Sequence, residues 1–162
     1  METITITVYQ DEVYGEVAKA TDYTGAKLVD GDETARDRIL ATDADLATLG
    51  RFWDEAALAA NERLKQMLVS GATKRLAEEE GGESGTKTAY VATLEVSKAY
   101  DKNLNDSVAG SLKNFFIYSI TGQWFKFANK DEAADCFTQA GEEITSAERL
   151  LYSRKRPARP EV

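Results

Sequence analysis

The residues with the greatest capacity for chemistry lie together in the segment DEAADC, residues 131–136. Asp131 and Asp135 are one helical turn apart, with Glu132 beside them, a spacing that suits a hard divalent cation. Acidic residues in this position are also typical of a helix start, because they stabilise the positive end of the helix. No second acidic motif on a facing helix completes a metal site. We therefore interpret the segment as the first turn of a helix with a solvated face.

The other chemical candidates are weaker. Cys136 is the only cysteine and the chain has no histidine, so an intramolecular disulfide is excluded and the usual zinc ligands are missing. The absence of histidine also removes the commonest general base and activator of nucleophiles. We interpret Cys136 as a small buried hydrophobic residue, and GGESGTK (81–87) as a linker without the context of a phosphate-binding loop. The sequence predicts no catalytic, cofactor or metal site and no enzymatic activity.

Composition and charge indicate one globular domain with two electrically different ends. The chain has 162 residues, of which 43% are hydrophobic and 30% charged, and its net charge is −8. Residues 1–60 contain thirteen acidic and five basic residues, whereas residues 61–162 contain fifteen of each. No apolar run approaches the ~20 residues of a membrane span, so we expect no membrane-spanning helix. The N-terminal residues METITITVYQ lack the features of a secretory signal, so we do not expect secretion by that route. An acidic front and a basic tail suit head-to-tail association.

Alternating patterns predict two short strands. Residues 3–9 and residues 87–97 each alternate apolar and polar side chains. Between them, residues 76–87 contain glutamates and glycines and are predicted to be a solvated helix end followed by a flexible loop near 78–87. A two-stranded sheet is marginal by itself. We therefore expect the strands to pair antiparallel against the helices, or to borrow a strand from a neighbouring chain.

Helical periodicity accounts for most of the remaining chain. A brief helix is predicted from Asp11 to about Ala20, then a loop around Gly25 and Gly31. A long amphipathic helix is predicted from Thr42 to Met67, and helices at 103–128 and 131–152 are predicted to form an antiparallel hairpin. Asn129 with Glu132 resembles a capping box before the last helix. Its predicted buried face is Ala133, Phe137, Ala140, Ile144, Ala147 and Leu151.

These elements predict a mainly α fold with a small β element, an α+β class. The architecture expected is a bundle of long antiparallel helices with two short strands. Residues 1–152 form the single domain, and residues 153–162 are expected to be a basic extended tail.

Six aromatic residues are concentrated in NFFIYSITGQWFKF, residues 114–127. A helix that is apolar on more than half of its circumference is either central in the fold or also contacts a partner. Both interpretations remain open. The aromatic candidates for contact with another subunit are Trp53, Tyr118, Trp124 and Phe125.

The segment YSRKRPARP (152–160) is strongly basic and is stiffened by two prolines. We expect it to leave the last helix as an extended arm. Three roles are open for this arm. It is a solvated tail, it docks on the acidic part of an adjacent subunit, or it contacts DNA phosphates. Its contact candidates are Arg154, Lys155, Arg156 and Arg159.

Three segments resemble small proteins encoded in the structural gene blocks of tailed phages and prophages of gut anaerobes. They are RFWDEAALAANERL, LEVSKAYDKNLNDSVAGSLKNFFIYSITGQWFKFANKDEAADC and LLYSRKRPARP, and the resemblance covers most of residues 40–160. Its most specific features are the Phe52–Trp53 pair, the WFKFANKDEA junction at 124–133 and the ending from Tyr152 to Arg159.

The resemblance implies a virion structural protein similar to the helical adaptor proteins that form the ring between portal and tail. Those subunits grip their neighbours through terminal extensions. The implied partners are other copies of the chain in a ring and portal or tail proteins, in the virion and, during assembly, in the bacterial host cytoplasm. The two predicted strands depart from a purely helical adaptor. The alternatives are a small non-catalytic regulatory or DNA-associated prophage protein and, more remotely, a hydrolase with a metal on Asp131, Glu132 and Asp135.

Overall fold

A computed structural model describes residues 1–28, 46–77, 86–126, 129–157 and 159, with the backbone alone for residues 22–28. The fold is mostly helical with one small antiparallel sheet, which confirms the predicted α+β class. The elements are β1 (Glu2–Tyr9), α1 (Gln10–Leu28), α2 (Leu46–Leu64), β2 (Leu68–Ala77), β3 (Thr86–Val96), a 3-10 turn (Lys102–Leu104), α3 (Asn105–Phe125) and α4 (Lys130–Tyr152). None of the helices in the described ranges combines the length and apolar character needed to cross a membrane.

The sheet has the strand order β1, β3, β2, and both neighbouring pairs are antiparallel. The two predicted strands are confirmed as β1 and β3, and they pair within this chain. Alternation along each strand sends one set of side chains toward the helices. Thr3 and Thr5 are exposed on the opposite face of the sheet. The buried cross-strand pairs are Ile4 with Leu94, Ile6 with Ala92, and Val8 with Tyr90.

The prediction of only two strands is wrong, because β2 adds a third. β2 is an edge strand with most of its side chains exposed, so it shows no alternation of apolar residues. The predicted helix end at 76–87 is also wrong where the structure describes it, since Leu76 and Ala77 end β2 and Thr86 begins β3. Residues 78–85 of the predicted loop lie outside the described residues.

Side chains of α2 attach this edge strand to the helical layer. Trp53 Nε1 donates to Thr73 Oγ1 at 3.0 Å, and Asn61 Nδ2 donates to the Gly71 carbonyl at 3.1 Å. A Cβ at Gly71 would collide with the Asn61 side chain, so the close approach of helix and strand requires glycine there.

Three aromatic side chains form the centre of the core, which we call the aromatic core: Trp53, Tyr90 and Phe116. The ring centroids of Trp53 and Phe116 are 4.6 Å apart, and those of Tyr90 and Phe116 are 5.2 Å apart. All three side chains are fully buried between α2, α3 and the sheet. The Tyr90 hydroxyl donates to Asn61 Oδ1 at 2.6 Å, which satisfies its polar end.

Several helix boundaries differ from those predicted. α1 continues to Leu28, so the loop expected around Gly25 is wrong, and Gly31 lies outside the described residues. A single glycine costs a helix only about 1 kcal/mol, which is too little to end it. α2 ends at Leu64 rather than at Met67, whose amide donates to the Leu64 carbonyl in a turn.

The two C-terminal helices follow their predicted positions closely. A 3-10 turn begins after Asp101, whose side chain accepts from the Asn103 amide, and α3 follows directly. The predicted cap of α4 is confirmed, because Asn129 Oδ1 accepts from the Glu132 amide at 3.3 Å. α3 and α4 pack against each other along their length. Five of the six predicted buried residues of α4 are buried, but Phe137 is 40% exposed.

Candidate functional site

Neighbouring aromatic residues on α2 and α3 point in different directions. Consecutive residues of a helix are separated by about 100° around its axis. Trp53 and Phe116 therefore face the aromatic core, whereas the preceding residues Phe52 and Phe115 face the side where α4 lies. The Phe115 and Phe116 rings meet edge to face at 5.9 Å. Phe52 and Phe115 are themselves buried, at 6% and 7% exposure, so each pair connects the aromatic core to the floor of a second surface.

That second surface is an open groove of about 440 Å³ between α2, α3 and α4, which we call the α4 groove. The groove exists because α2 and α4 make few contacts with each other, although both pack on α3. Its apolar lining is Phe52, Ala56, Ala59, Phe115, Phe137, Ala140 and Ile144, and its polar lining is Glu55, Glu62, Arg63, Ser119 and Gln123. Gly141 completes the lining.

Two glycines shape the α4 side of this groove. A Cβ at Gly122 would lie 2.8 Å from Cε1 of Phe137, so glycine lets the Phe137 ring rest on α3. A Cβ at Gly141 would meet nothing within 4 Å, so the groove is open above that position. Phe137 is consequently supported on one side and exposed on the other. Large exposed aromatic side chains in a concave surface are typical anchors for protein contacts.

Charged residues of α2 define the electrostatics of the rim. Arg63 bridges to α4, with its Nε 2.8 Å from Glu148 Oε1 and its Nη2 donating to Thr145 Oγ1 at 3.2 Å. Glu62 is paired with Lys65 at 2.7 Å, and this hydrogen bond lowers the pKa of the exposed Glu62 carboxyl. Glu55 makes no ion pair or hydrogen bond within the described part of the chain. The Arg51 guanidinium lies 5.4 Å from the centroid of the Phe52 ring. The rim therefore carries charges of both signs, and Glu55 is an acidic residue on it that no described residue pairs.

The basic arm begins where α4 ends at Tyr152. Ser153 has φ −65° and ψ 145°, which are values of the polyproline II conformation. The Lys155 amide donates to the Ala99 carbonyl at 2.7 Å, so the start of the arm is held beside the segment that follows β3. The side chains of Arg154, Lys155, Arg156, Pro157 and Arg159 are exposed.

The predicted contact residues are distributed over different environments. Trp53 and Phe125 are each only 1% exposed, so this conformation leaves neither ring a surface for a partner. Tyr118 and Trp124 are half-buried at the edge of the core. The four basic residues of the arm lie exposed beyond the C-terminal end of α4.

Sequence reasoning did not identify the residues that form the α4 groove. Phe137 was expected in the buried face of α4, and Phe52 and Phe115 were not contact candidates. The available signal was the pairing of aromatic residues in Phe52–Trp53 and Phe115–Phe116, because adjacent residues of a helix point in directions about 100° apart.

The acidic start of α4 has the local environment of a helix terminus. Asp131 and Glu132 lie in the first turn of α4. Across the described ranges, no three Cys, Asp or Glu side chains are grouped so that they could hold a metal ion.

Burial, with a smaller effect of Glu132 and Asp135, raises the pKa of the half-buried Cys136 thiol to about 11. The thiol is therefore protonated at neutral pH and is a poor nucleophile.

The fold and the groove together define a small α+β protein with a candidate protein-docking surface. Comparison with protein-family models, with curated proteins and with solved structures gave no significant match.

Proposed function

We propose that this chain is a non-catalytic assembly subunit that acts through protein–protein contacts. The observation that carries the proposal is the α4 groove, in which Phe137 is 40% exposed above an apolar floor. A concave apolar surface with a few polar residues on its rim suits a protein side chain or an extended segment. The exposed basic arm lies beyond the C-terminal end of α4 and supplies a second, chemically different contact surface.

The resemblance of residues 40–160 to proteins of phage structural gene blocks supports a more specific proposal. The chain is a structural protein of a tailed phage or prophage virion, of the head–tail connector or neck type, in which α3 and α4 form the long antiparallel hairpin of a helical bundle. Its partners are other copies in a ring and portal or tail proteins. It acts in the virion and, during assembly, in the bacterial host cytoplasm.

The test is a mass measurement in solution across protein concentration, alone and with the portal and tail proteins encoded beside its gene. An assembly subunit is expected to form a defined oligomer, or a defined complex with one of those proteins. A chain that stays monomeric alone and with each of them would contradict the proposal. Neighbouring genes that encode no portal, capsid or tail protein would contradict the virion assignment in particular.

The exposed arm also supports a second candidate, a DNA-associated prophage protein without catalytic activity. Four exposed basic residues can neutralise phosphates in a way that does not depend on sequence. Such binding to duplex DNA would fall steeply as salt is raised, roughly in proportion to the number of phosphates neutralised. DNA affinity that is strong, falls steeply with salt and is lost when residues 153–162 are deleted would favour this candidate over the assembly subunit.

A further inference from the structure

We propose that the α4 groove binds residues 156–160 of the basic arm from a second copy of the chain. This inference rests on the proposed function and identifies the partner of the groove. Its basis is the match between an extended segment rich in proline and arginine and an apolar groove that has an exposed aromatic ring, Phe137, and the Glu55 carboxylate on its rim.

The arm has the chemistry of a polyproline II ligand. Pro157 and Pro160 are three residues apart, which places them on the same edge of a helix with three residues per turn. Proline fixes φ near −65° and disfavours the α conformation of the preceding residue, here Arg156 and Arg159. Ser153 already has polyproline II angles. A segment restricted in this way loses little conformational entropy when it binds.

The groove supplies the complementary surface. Proline-rich segments of this kind bind grooves lined by aromatic side chains, and arginine stacks on aromatic faces. Phe137, which is 40% exposed, provides such a face. Phe52 and Phe115 are only 6% and 7% exposed and form the floor of the groove, and the Arg51 guanidinium already lies 5.4 Å from the Phe52 ring centroid. Ser119 and Gln123 provide hydrogen-bonding groups for an extended backbone.

Charge favours the same pairing. Glu55 on the rim has no partner among the described residues. No charged residue of α4 lines the groove, whose charged lining residues are Glu55, Glu62 and Arg63 of α2. The arm from 153 to 160 contains four basic residues and no acidic one. The Glu55 carboxylate therefore offers the arm an electrostatic contact beside the apolar surface.

The reach of the arm indicates a second copy rather than the same chain. The Lys155 amide is held by the Ala99 carbonyl near the C-terminal end of α4. Along the helix, Gly141 is about 16 Å and Phe137 about 23 Å from Tyr152. Residues 156–160 extend only about 16 Å in polyproline II. Ile144, the groove residue of α4 nearest to Tyr152, is about 12 Å from it along the helix. The chain's own residues 156–160 can therefore reach that end of the groove but not Phe137, whereas an arm from a neighbour can lie across the whole groove.

This arrangement has a consequence for assembly. The groove and the arm are different surfaces of the same molecule, so their contact is head-to-tail. Such a contact repeats from copy to copy and produces a closed ring or an open filament rather than a two-fold dimer.

The first experiment titrates a synthetic peptide of residues 153–162 into a chain that lacks those residues, monitored by fluorescence anisotropy. Saturable binding is expected. A peptide with Pro157→Ala and Pro160→Ala, which keeps every charge, is expected to bind at least about tenfold more weakly. Absence of binding up to about 1 mM peptide, or equal binding of both peptides, would overturn the inference.

Substitutions in the groove locate the binding site. In the chain without its arm, Gly141→Leu fills the open position and is expected to weaken peptide binding at least about tenfold. Gly110→Leu is the matched control, because a Cβ at Gly110 also meets nothing within 4 Å and this residue does not line the groove. Circular dichroism shows whether both variants keep their helix content. Equal peptide affinity of the two variants would show that the arm binds elsewhere.

The second experiment distinguishes a neighbour from the same chain by mixing two complementary variants. One lacks residues 153–162 and keeps an open groove, and the other carries Gly141→Leu and keeps its arm. At concentrations above the dissociation constant of the peptide, each is expected to remain monomeric alone, and the mixture is expected to form a one-to-one complex. A mixture that stays monomeric although the peptide binds would show that the arm of one chain cannot reach the groove of another and would overturn the inference. A full chain that stays monomeric at the same concentration, although the mixture forms the complex, would show that the arm docks within its own chain and would also overturn it.

The proposed function and this inference can fail separately. If the full chain and both variants all assemble equally, the assembly function stands and the arm-in-groove contact is wrong. If the full chain binds neither itself nor its neighbouring structural proteins, the function itself is wrong.

Discussion

The aromatic core and the α4 groove are built from adjacent residues of the same helices, yet their surroundings differ. Trp53 and Phe116 are enclosed by the sheet and by α1 and α2, with 1% and no exposed surface respectively. Phe52 and Phe115 lie one position earlier and are also buried, at 6% and 7% exposure, but they form the floor of a space that α4 leaves open. Phe137 belongs to that space and keeps 40% of its surface exposed.

This difference explains why so many aromatic residues occur in one stretch of a hydrophilic chain. α3 lies between two layers, the sheet on one side and α4 on the other, and it contacts both. Its apolar surface therefore exceeds one stripe, and the part that neither layer covers becomes the floor of the groove. The described aromatic residues of this stretch are all buried or half-buried, and the exposed ring of the groove is Phe137 on α4.

The largest expected effect is the loss of a ring from the aromatic core. Trp53→Ala removes the contact with Phe116 at 4.6 Å, the edge-to-face contact with Tyr14 at 6.2 Å and the hydrogen bond to Thr73. We expect the free energy of unfolding to fall by about 3–5 kcal/mol, measured by urea denaturation. Trp53→Phe keeps a ring and is expected to lose less. A loss below about 1 kcal/mol for Trp53→Ala would show that the aromatic core does not dominate stability.

Alkaline pH provides a smaller perturbation of the same core. Burial raises the pKa of the Tyr90 hydroxyl from 10.0 to about 12. The unfolded chain therefore releases this proton at a lower pH than the folded chain. The contribution of Tyr90 to the free energy of unfolding is fully present below about pH 10 and is lost as the pH rises through about 12. This contribution is at most about 3 kcal/mol. Burial also raises the pKa of Tyr14 to about 12, in the same direction.

Urea unfolding at about pH 8 and about pH 11 measures this effect as a difference in unfolding free energy between the two conditions. Tyr90→Phe should reduce the difference without abolishing it, because Tyr14 still titrates. The variant also loses the hydrogen bond to Asn61, so its stability at neutral pH is compared separately. A pH dependence identical in both proteins would mean that Tyr90 ionises equally in the folded and unfolded chains.

The elements that the sequence predicts are those in which buried and exposed side chains follow a regular pattern. β1 and β3 alternate because one face of each packs under helices, and α4 has both its cap at Asn129 and a regular apolar face. β2 could not be predicted, because an edge strand that is exposed on most positions carries no pattern. It is held by its hydrogen bonds to β3 and by the contacts of Trp53 and Asn61, which only the tertiary structure reveals.

The groove was less predictable than the fold for a related reason. Periodicity shows which residues of α2, α3 and α4 are apolar, but not how far apart these helices are. The gap between α2 and α4 depends on how the side chains of α3 keep the two helices apart, and on the Arg63–Glu148 bridge between them. Phe137 was therefore assigned to the core, since its spacing on α4 is that of a buried residue.

A small change in stability is expected for Phe137→Ala, which is also the sharpest test of the comparison. The ring rests on Gly122 but is 40% exposed, so its removal is expected to cost about 1 kcal/mol or less in urea denaturation. Leu58→Ala is the matched control, because Leu58 is 69% exposed on α2, does not line the groove and should change stability by at most about 0.5 kcal/mol. If the chain assembles as proposed, only Phe137→Ala should also reduce the mass of the assembled species in solution.

Two outcomes would break the distinction between core and groove. If Phe137→Ala costs as much stability as Trp53→Ala, the ring is part of the core and its exposure has no separate role. If Phe137→Ala and Leu58→Ala reduce assembly equally, exposed apolar area in general drives association, and the shape of the groove does not matter. A loss of assembly confined to Phe137→Ala, with stability nearly unchanged, requires a contact surface that folding does not need, because the ring then matters only to a partner.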